Sequence, residues 1–462
     1  MKKNITTISG KEKGLSTTQV IVLGFLLAIA VGTALLCLPW ARAGEGSAPF
    51  MTALFTATTS VCVTGLVVVD TFAYWSVFGQ IVILLLIQLG GLGVISFTTS
   101  IMLIIGRRVT LRDRLLLESA FNLNTLSGLV QFLLRMLKGT FIVEFVGFLC
   151  YLPVMVKQFG AAGIWKAFFL AISAFCNAGI DIIGPDSLMP YAGNVWMNLV
   201  TMALIVLGGL GFIVWWDAIR VARMGIKEKL PVRQCLHRMN LHSKLVIVTT
   251  FILIVGGALL VLLLEYNNPA TLGELPFFGK LQAALFQSVT LRTAGFVTIS
   301  QKGLYGSTAL ICMLLMFIGG STCGTAGGVK TNTVALLALS AAATARGSET
   351  VTAFRRTIPL QAVRRAMSVV LISLAAVFTA ATALGMVGGG DFLDAVYETF
   401  SAIGTVGISR DYTRTLGTAG QLIVILCMYL GRIGPVSLAV AFSFGGKGAR
   451  EMVYPAEEVP VG

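Results

Sequence analysis

Val61-Cys62-Val63-Thr64-Gly65-Leu66 decides how this chain is read, because the same short pattern returns three more times. It recurs as Phe175-Cys176-Asn177-Ala178-Gly179-Ile180, as Leu291-Arg292-Thr293-Ala294-Gly295-Phe296, and as Ile403-Gly404-Thr405-Val406-Gly407-Ile408. The glycines stand 114, 116 and 112 residues apart, and an alanine (Ala53, Ala167, Ala283, Ala395) lies twelve positions before each. Between alanine and glycine runs an apolar stretch of about two to three helical turns, too short to cross a bilayer. Self-similarity at a long, nearly constant period marks a structural unit copied along the chain.

The surrounding sequence decides the compartment. Hydrophobic residues make up 56% of the chain and charged residues 12%, where a soluble domain carries about 25% charged. Gln19 to Trp40, Gln80 to Ile105, Val195 to Trp216, Leu245 to Leu264, Ser368 to Val387 and Gln421 to Phe444 are all strongly apolar. Each is near or above the ~20 residues that cross a bilayer as a helix. Met1 to Ser16 holds four lysines and no apolar core, so the first span is expected to stay rather than be cleaved as a signal.

A net charge of +14 invites a nucleic-acid reading, but its distribution argues for topology instead. Of 34 Lys and Arg, 24 fall in the N-terminus, the Arg107–Arg114 loop, Arg135 and Lys138, Arg220–Lys244, Arg346–Arg365 and the tail. Eight fall in the alternate loops, and Lys330 and Arg432 lie within apolar segments. Basic loops stay cytoplasmic, so both termini are expected inside and no nucleic-acid partner is expected. The opposite face carries ten acids, among them Asp70, Asp181, Asp186, Asp391, Glu398 and Asp411, which suits attraction of cations. The eight cysteines are scattered without a CxxC, so neither a disulfide framework nor a zinc site is expected.

Each unit reads as an outer helix, a re-entrant half-helix, an extended loop and an inner helix. Non-helical backbone at membrane depth survives only where protein buries it or where it lines a watery cavity. Four such loops close a ring, and carbonyls facing its axis replace the hydration shell of K⁺. Half-helices aiming their C-terminal ends at that axis favour a cation. The fold expected is an all-α polytopic membrane protein of four M1–P-loop–M2 repeats, with eight spans and four re-entrant pore helices around a pseudo-fourfold central pore. The division expected is a cytoplasmic N-terminus 1–16, repeats at 17–114, 115–240, 241–350 and 351–446, and a cytoplasmic tail 447–462. Candidate filter residues are Val63, Thr64 and Gly65; Asn177, Ala178 and Gly179; Thr293, Ala294 and Gly295; and Thr405, Val406 and Gly407.

On these four motifs, and over about residues 15 to 462, the chain resembles the Trk/Ktr/HKT superfamily of K⁺ transporters, most of all its bacterial KtrB type. The related TrkH type carries a further pair of N-terminal spans, whereas the first repeat here starts at about Thr17. A glycine in all four loops goes with K⁺ selectivity in the family, so Gly65 implies K⁺ rather than Na⁺. Asn177-Ala178 departs from the Thr-Ala or Thr-Val pattern and breaks the fourfold symmetry of side chains.

Below the filter, the second span of the third repeat would run from about Leu304 to Ala345, roughly twice what a bilayer needs. Its middle reads Gly319-Gly320-Ser321-Thr322-Cys323-Gly324-Thr325-Ala326-Gly327-Gly328, and that many glycines break a helix. The reading is an intramembrane loop that obstructs the pore, against the alternative of a hinge or a small-residue packing face. The spacing to Lys330 excludes a phosphate-binding P-loop. Arg432 sits near the middle of the last span, where a charge marks function; carbonyls of the glycine-rich loop are its expected partners, and Lys330 could act likewise more weakly. The resemblance implies both a gating loop and an arginine at these places. Arg292 is expected to point into the protein toward carboxylates such as Asp391 or Glu398. Glu144, within an outer helix, is expected to pair with a neighbouring cation.

Two other classes compete with a pore. A transporter alternating access calls for inverted repeats and titratable groups along its path, whereas these repeats read as parallel. An enzyme needs a nucleophile–base or metal constellation, and the two histidines, His237 and His242, lie together in a basic loop. The resemblance further implies a homodimer in a bacterial plasma membrane, seated on a cytosolic KtrA-like ring of RCK subunits through which ATP and ADP act, with Na⁺ as an activator. Contacts with that ring would fall at Arg107–Arg114, Arg220–Lys244 or the tail from Tyr454 to Gly462.

Overall fold

The computed structural model describes residues 17–94, 96–97, 99 and 129–434. The expectations for residues 1–16, the Arg107–Arg114 loop, the repeat boundary at 114 and everything beyond 434 lie outside the described residues.

Four units of like design follow one another. Their outer helices are Thr17–Leu36, Leu129–Phe159, Leu241–Glu265 and Leu360–Val387. At 20 to 31 residues each they are about 30 Å or longer, enough for the hydrocarbon core. The half-helices are Phe50–Cys62, Ala162–Cys176, Phe277–Thr290 and Phe392–Gly404. They begin ahead of the repeated alanines, so they are longer than the alanine-to-glycine stretch. Pro49 and Pro276 precede two of them, and the Asp391 carboxylate caps the fourth by accepting from Leu393 N at 3.2 Å. The inner helices are Val77–Leu92, Val195–Leu210, Gly306–Phe317 and Thr418–Ile433. Ser76 and Asn194 start the first two by accepting from Gly79 N and Met197 N, the ordinary N-cap bond.

The inner helices are shorter than the outer ones. Among the described residues only the four outer helices are singly long and apolar enough to cross a membrane. Every inner helix breaks. Three stop at a glycine with positive φ: Gly93 (84°), Gly211 (86°) and Gly434 (89°). The second resumes beyond Gly211 as Phe212–Glu228, bent by 97°. The third stops at Phe317 and resumes as Thr331–Ala345, with the glycine-rich loop between. The one hairpin described, Thr352–Ala353 with Arg356–Thr357, lies between the third and fourth units; Phe354 and Arg355 turn it with φ of 49° and 63°.

Packing is arranged for lipid. Outer helices expose Leu27, Phe251, Leu263 and Phe378, while Thr58, Ser60, Ser173, Thr290, Thr399 and Ser401 of the half-helices are fully buried. Lipid tails are as apolar as leucine, so close contact and internal hydrogen bonds hold such helices together. Small residues permit it: a Cβ on Gly147 would stand 2.8 Å from Leu204, and one on Gly257 2.5 Å from Ser288 Oγ.

Candidate functional site

All four half-helices lead into a left-handed residue followed two positions later by a glycine of positive φ. Val63, Asn177, Thr293 and Thr405 take φ of 54°, 58°, 67° and 51°, and the glycines two residues on take 101°, 65°, 87° and 88°. Asparagine tolerates the left-handed region, but Val and Thr are β-branched and genuine outliers there. Such strain, about 1–3 kcal/mol per residue, persists only where the surroundings over-determine it. Here the N–H groups are bound back into the helix ends. Thr64 N, Ala178 N and Val406 N donate to Thr59 O, Ser173 O and Ser401 O at 2.8–2.9 Å, and Ala294 N donates to Thr290 O at 2.9 Å. Hydroxyls finish the task. Thr59 Oγ1 and Ser401 Oγ accept from Gly65 N and Gly407 N at 3.0 and 3.1 Å. Ser173 Oγ and Thr290 Oγ1 donate to Ile180 O and Phe296 O at 2.5 and 2.7 Å.

The carbonyls are left over. None of the twelve from Val63–Gly65, Asn177–Gly179, Thr293–Gly295 and Thr405–Gly407 accepts a hydrogen bond from a described residue. Ten of these residues are buried, Gly179 and Gly407 only partly; a buried backbone acceptor without a donor is costly, so the set calls for water or a cation. The glycines show how the ring closes. A Cβ on Gly65 would stand 2.6 Å from Ala178 O, one on Gly179 2.5 Å from Ala294 O, and one on Gly295 2.8 Å from Val406 O. One on Gly407 would run into Thr64 O. Each repeat thus abuts the next in order, and the fourth returns to the first.

On the glycine side the ring opens into a cavity of about 170 Å³, lined by Asp70, Asp181, Asp186 and Asp411 against Lys302 and Arg414. Asp181 accepts from Ile183 N at 3.1 Å and Ser187 Oγ at 2.7 Å, and burial pushes its carboxyl up to about 6.

On the other side the glycine-rich loop crosses beneath the ring. Ser321 N and Thr325 N donate to Gly209 O and Gly208 O at 2.9 and 3.2 Å, and Phe212 N donates to Cys323 O at 2.9 Å. Gly319 N donates to Val329 O at 2.8 Å, and Thr331 N to Gly320 O at 3.0 Å, which closes the loop on itself. Gly327 faces the Thr405 side chain so closely that a Cβ would overlap it, and one on Gly328 would stand 2.8 Å from Gly404 O. Thr325 Oγ1 donates to Phe175 O at 3.1 Å; with its amide turned, Asn177 donates to the same carbonyl at 3.2 Å and to Ile205 O at 3.3 Å. Lys330 Nζ donates to Ala326 O at 2.7 Å. The loop residues Gly319, Gly320, Ser321, Gly324, Thr325, Gly327 and Gly328, together with Lys330 and Arg432, are therefore brought together below the ring.

Arg432 joins three repeats. One guanidinium nitrogen donates to Thr325 O at 2.5 Å, and the other donates to Gly90 O and, at 3.5 Å, to Gly91 O. A second repeated pattern in the sequence, outside the four loops, marks this arrangement. Leu89-Gly90-Gly91-Leu92-Gly93 recurs as Leu207-Gly208-Gly209-Leu210-Gly211 and as Leu430-Gly431-Arg432-Ile433-Gly434. A Cβ on Gly90, Gly208 or Gly431 would collide with the carbonyl two residues before the left-handed position (Val61, Phe175, Ile403). The last glycine of each breaks the helix, and Arg432 stands where the other two repeats have Gly91 and Gly209. The supporting hydroxyls follow a pattern too; Thr59, Ser173 and Ser401 each stand six residues before a ring glycine.

Two partner expectations are corrected. Arg292 is buried but reaches no carboxylate among the described residues; it donates to Thr250 O at 3.5 Å and to Gly319 O at 3.3 Å. Glu398 instead accepts from Ser409 Oγ and Thr413 Oγ1, and Asp391 is spent as a cap. Glu144 pairs with no cation among the described residues; it accepts from Gln88 Nε2 at 3.3 Å and from Cys176 Sγ at 3.8 Å, because the carboxyl is packed behind the second loop where no basic residue reaches.

A family model described as TrkH, cation transport protein, matches residues 7–447. The Ktr system potassium uptake protein B of Bacillus subtilis is 39% identical over 445 residues, covering 96% of this chain and 96% of that protein. The potassium/sodium uptake protein NtpJ of Enterococcus hirae is 36% identical over 473 residues, covering 100% and 99%. Among solved structures, the potassium transporter TrkH of Vibrio parahaemolyticus shares the fold with a TM-score of 0.71 at 16% identity, over 95% of this chain and 87% of that one.

Proposed function

Because the chain belongs to the TrkH family of cation transport proteins, we propose that it is the K⁺-translocating subunit of a Ktr-type uptake system. K⁺ crosses by exchanging its water for the carbonyls of Val63–Gly65, Asn177–Gly179, Thr293–Gly295 and Thr405–Gly407. The observation that carries this is the closed ring of twelve carbonyls that accept no hydrogen bond from a described residue; such rings replace the hydration shell of K⁺. The dipoles of four half-helices ending there favour a cation, and the acidic cavity concentrates cations at its mouth. The loop 319–328, with Lys330 and Arg432, is the gate: it crosses the path, and the positive charge of Arg432 beneath the ring opposes ion entry.

The names of the relatives support K⁺ as the ion, and that of the Enterococcus protein puts Na⁺ beside it. Membership of a multi-subunit system supports a homodimer in the bacterial plasma membrane, on a cytosolic KtrA-like RCK ring that senses ATP and ADP, with Na⁺ stimulating transport. The basic loops support both termini lying inside under the positive-inside rule, and the spacing of the four loops supports repeats at 17–114, 115–240, 241–350 and 351–446.

The test is uptake at limiting K⁺ by a bacterium lacking its own K⁺ uptake, expressing this chain with and without an RCK partner, with Gly407→Ser as control. Saturable K⁺ uptake, resistant to excess Na⁺ and lost in the control, is expected. Uptake that ignores the substitution, or none despite expression beside the partner, refutes the reading.

A further inference from the structure

Away from the ring, a cleft of about 930 Å³ opens between the first turns of the second outer helix and the helix Phe212–Glu228. Arg135 and Lys138 stand on one wall, Arg220 and Arg223 on the other. Its one lining carboxylate, Asp217, is already engaged: it accepts from Arg220 at 2.5 Å, from Asn240 N at 2.9 Å and from Asn240 Nδ2 at 3.1 Å. Among the described residues Arg135, Lys138 and Arg223 have no carboxylate partner. Three exposed cations, without a carboxylate partner among the described residues, line one cleft beside the helix that the 97° break at Gly211 turns off the line of the inner helix.

The rest of the cleft is apolar. Ile142 lines it, and the same outward face continues through Phe141 and Phe145, both more than half exposed. That face belongs to a 31-residue helix, about 46 Å long, so its basic first turns lie at the headgroup level when the rest spans the bilayer. A soluble anion would use the cations alone, whereas a phospholipid would use the cations and the apolar strip together. Basic pockets between spans on the cytoplasmic side suit anionic headgroups.

We propose that this cleft holds the phosphate headgroup of an anionic phospholipid between Arg135, Lys138 and Arg223, with its acyl chains along Ile142 and Phe145. Each such cation contributes about fivefold to affinity for an anionic lipid surface.

The experiment reads lipid retained by the full chain, by native mass spectrometry after reconstitution in phosphatidylcholine containing phosphatidylglycerol. Arg135→Gln/Lys138→Gln/Arg223→Gln should lose bound phosphatidylglycerol by about tenfold or more, and Ile142→Asn should weaken retention with the cations intact. Arg364→Gln/Arg365→Gln, exposed cations at the start of another outer helix, should retain it. Equal loss in that control, or no loss in the triple variant, overturns the site. Displacement by inorganic phosphate together with full retention in Ile142→Asn would mean a soluble-anion site and also overturns it. Should the triple variant not fold, Arg223→Gln alone is expected to lose about fivefold, and an unchanged value there counts against the cleft.

Discussion

Replacing Arg432 by glutamine tests the gate most directly. The side chain holds the loop through Thr325 O at 2.5 Å and anchors itself on Gly90 O of the first inner helix. A hydrogen bond from a charged donor contributes about 1.5–3 kcal/mol, against about 1 kcal/mol for a neutral one. Glutamine reaches one of the two carbonyls, so the seated loop loses about 2 kcal/mol, which shifts its equilibrium toward the displaced form about 30-fold. Removing the charge beneath the ring lowers the electrostatic barrier in the same direction. The assay is the initial rate of tracer K⁺ flux into proteoliposomes containing the chain without its regulatory partner. A rise of about tenfold or more is expected, with the K⁺ to Na⁺ preference unchanged because the ring is untouched. Arg432→Lys keeps the charge but loses the forked reach, and should fall between. Unchanged or reduced flux in an Arg432→Gln protein that melts normally and still selects K⁺ would refute the latch.

Arg292→Gln should act the same way but more weakly, since its contact with Gly319 O is 3.3 Å long; a flux increase matching that of Arg432→Gln would show that bond lengths do not rank the two latches. Deleting Gly319 to Gly328 should raise K⁺ flux further, and a well-folded deletion with lower flux would count against the loop as an obstruction. Gly65→Ser places a side chain at φ +101° and 2.6 Å from Ala178 O, so that carbonyl must turn away. K⁺ to Na⁺ permeability measured from reversal potentials should then fall, and an unchanged ratio would sink the carbonyl ring for the first repeat. Asp181, whose carboxyl is raised to about 6 by burial, is ionised above that pH and neutral below it. The half-saturation concentration for K⁺ should therefore rise as pH drops from 7.5 to 5, a dependence absent in Asp181→Asn. The matching sign for stability is that ionisation costs stability: the contribution is full below the ordinary carboxylate range and lost as pH rises through about 6. A thermal melt in which Asp181→Asn gains nothing at neutral pH would contradict it.

The fourfold repetition was legible because it rests on local chemistry. A chain that must turn at the end of a half-helix shows a glycine there, and one that must break an inner helix shows several. Apolar runs report the bilayer by composition alone, which is why the membrane class and the family could be read from the residues. The Leu-Gly-Gly-Leu-Gly segments were equally visible, but their meaning lies in a carbonyl on another helix: Gly90 is small because Val61 O lies against it. Partners across the fold were not legible. Arg432 and Gly90 are 342 positions apart, and nothing in either neighbourhood announces the other. Arg292 illustrates the limit: charge matching pointed to carboxylates, whereas among the described residues it donates to the carbonyls of Thr250 and Gly319. By itself the sequence determined where the backbone must turn, break and enter lipid, since those demands fall on single residues. Only the tertiary structure decided the order in which the repeats close, which carbonyls are left without donors and which groups the buried charges meet, because these depend on distances between segments that share no local signal.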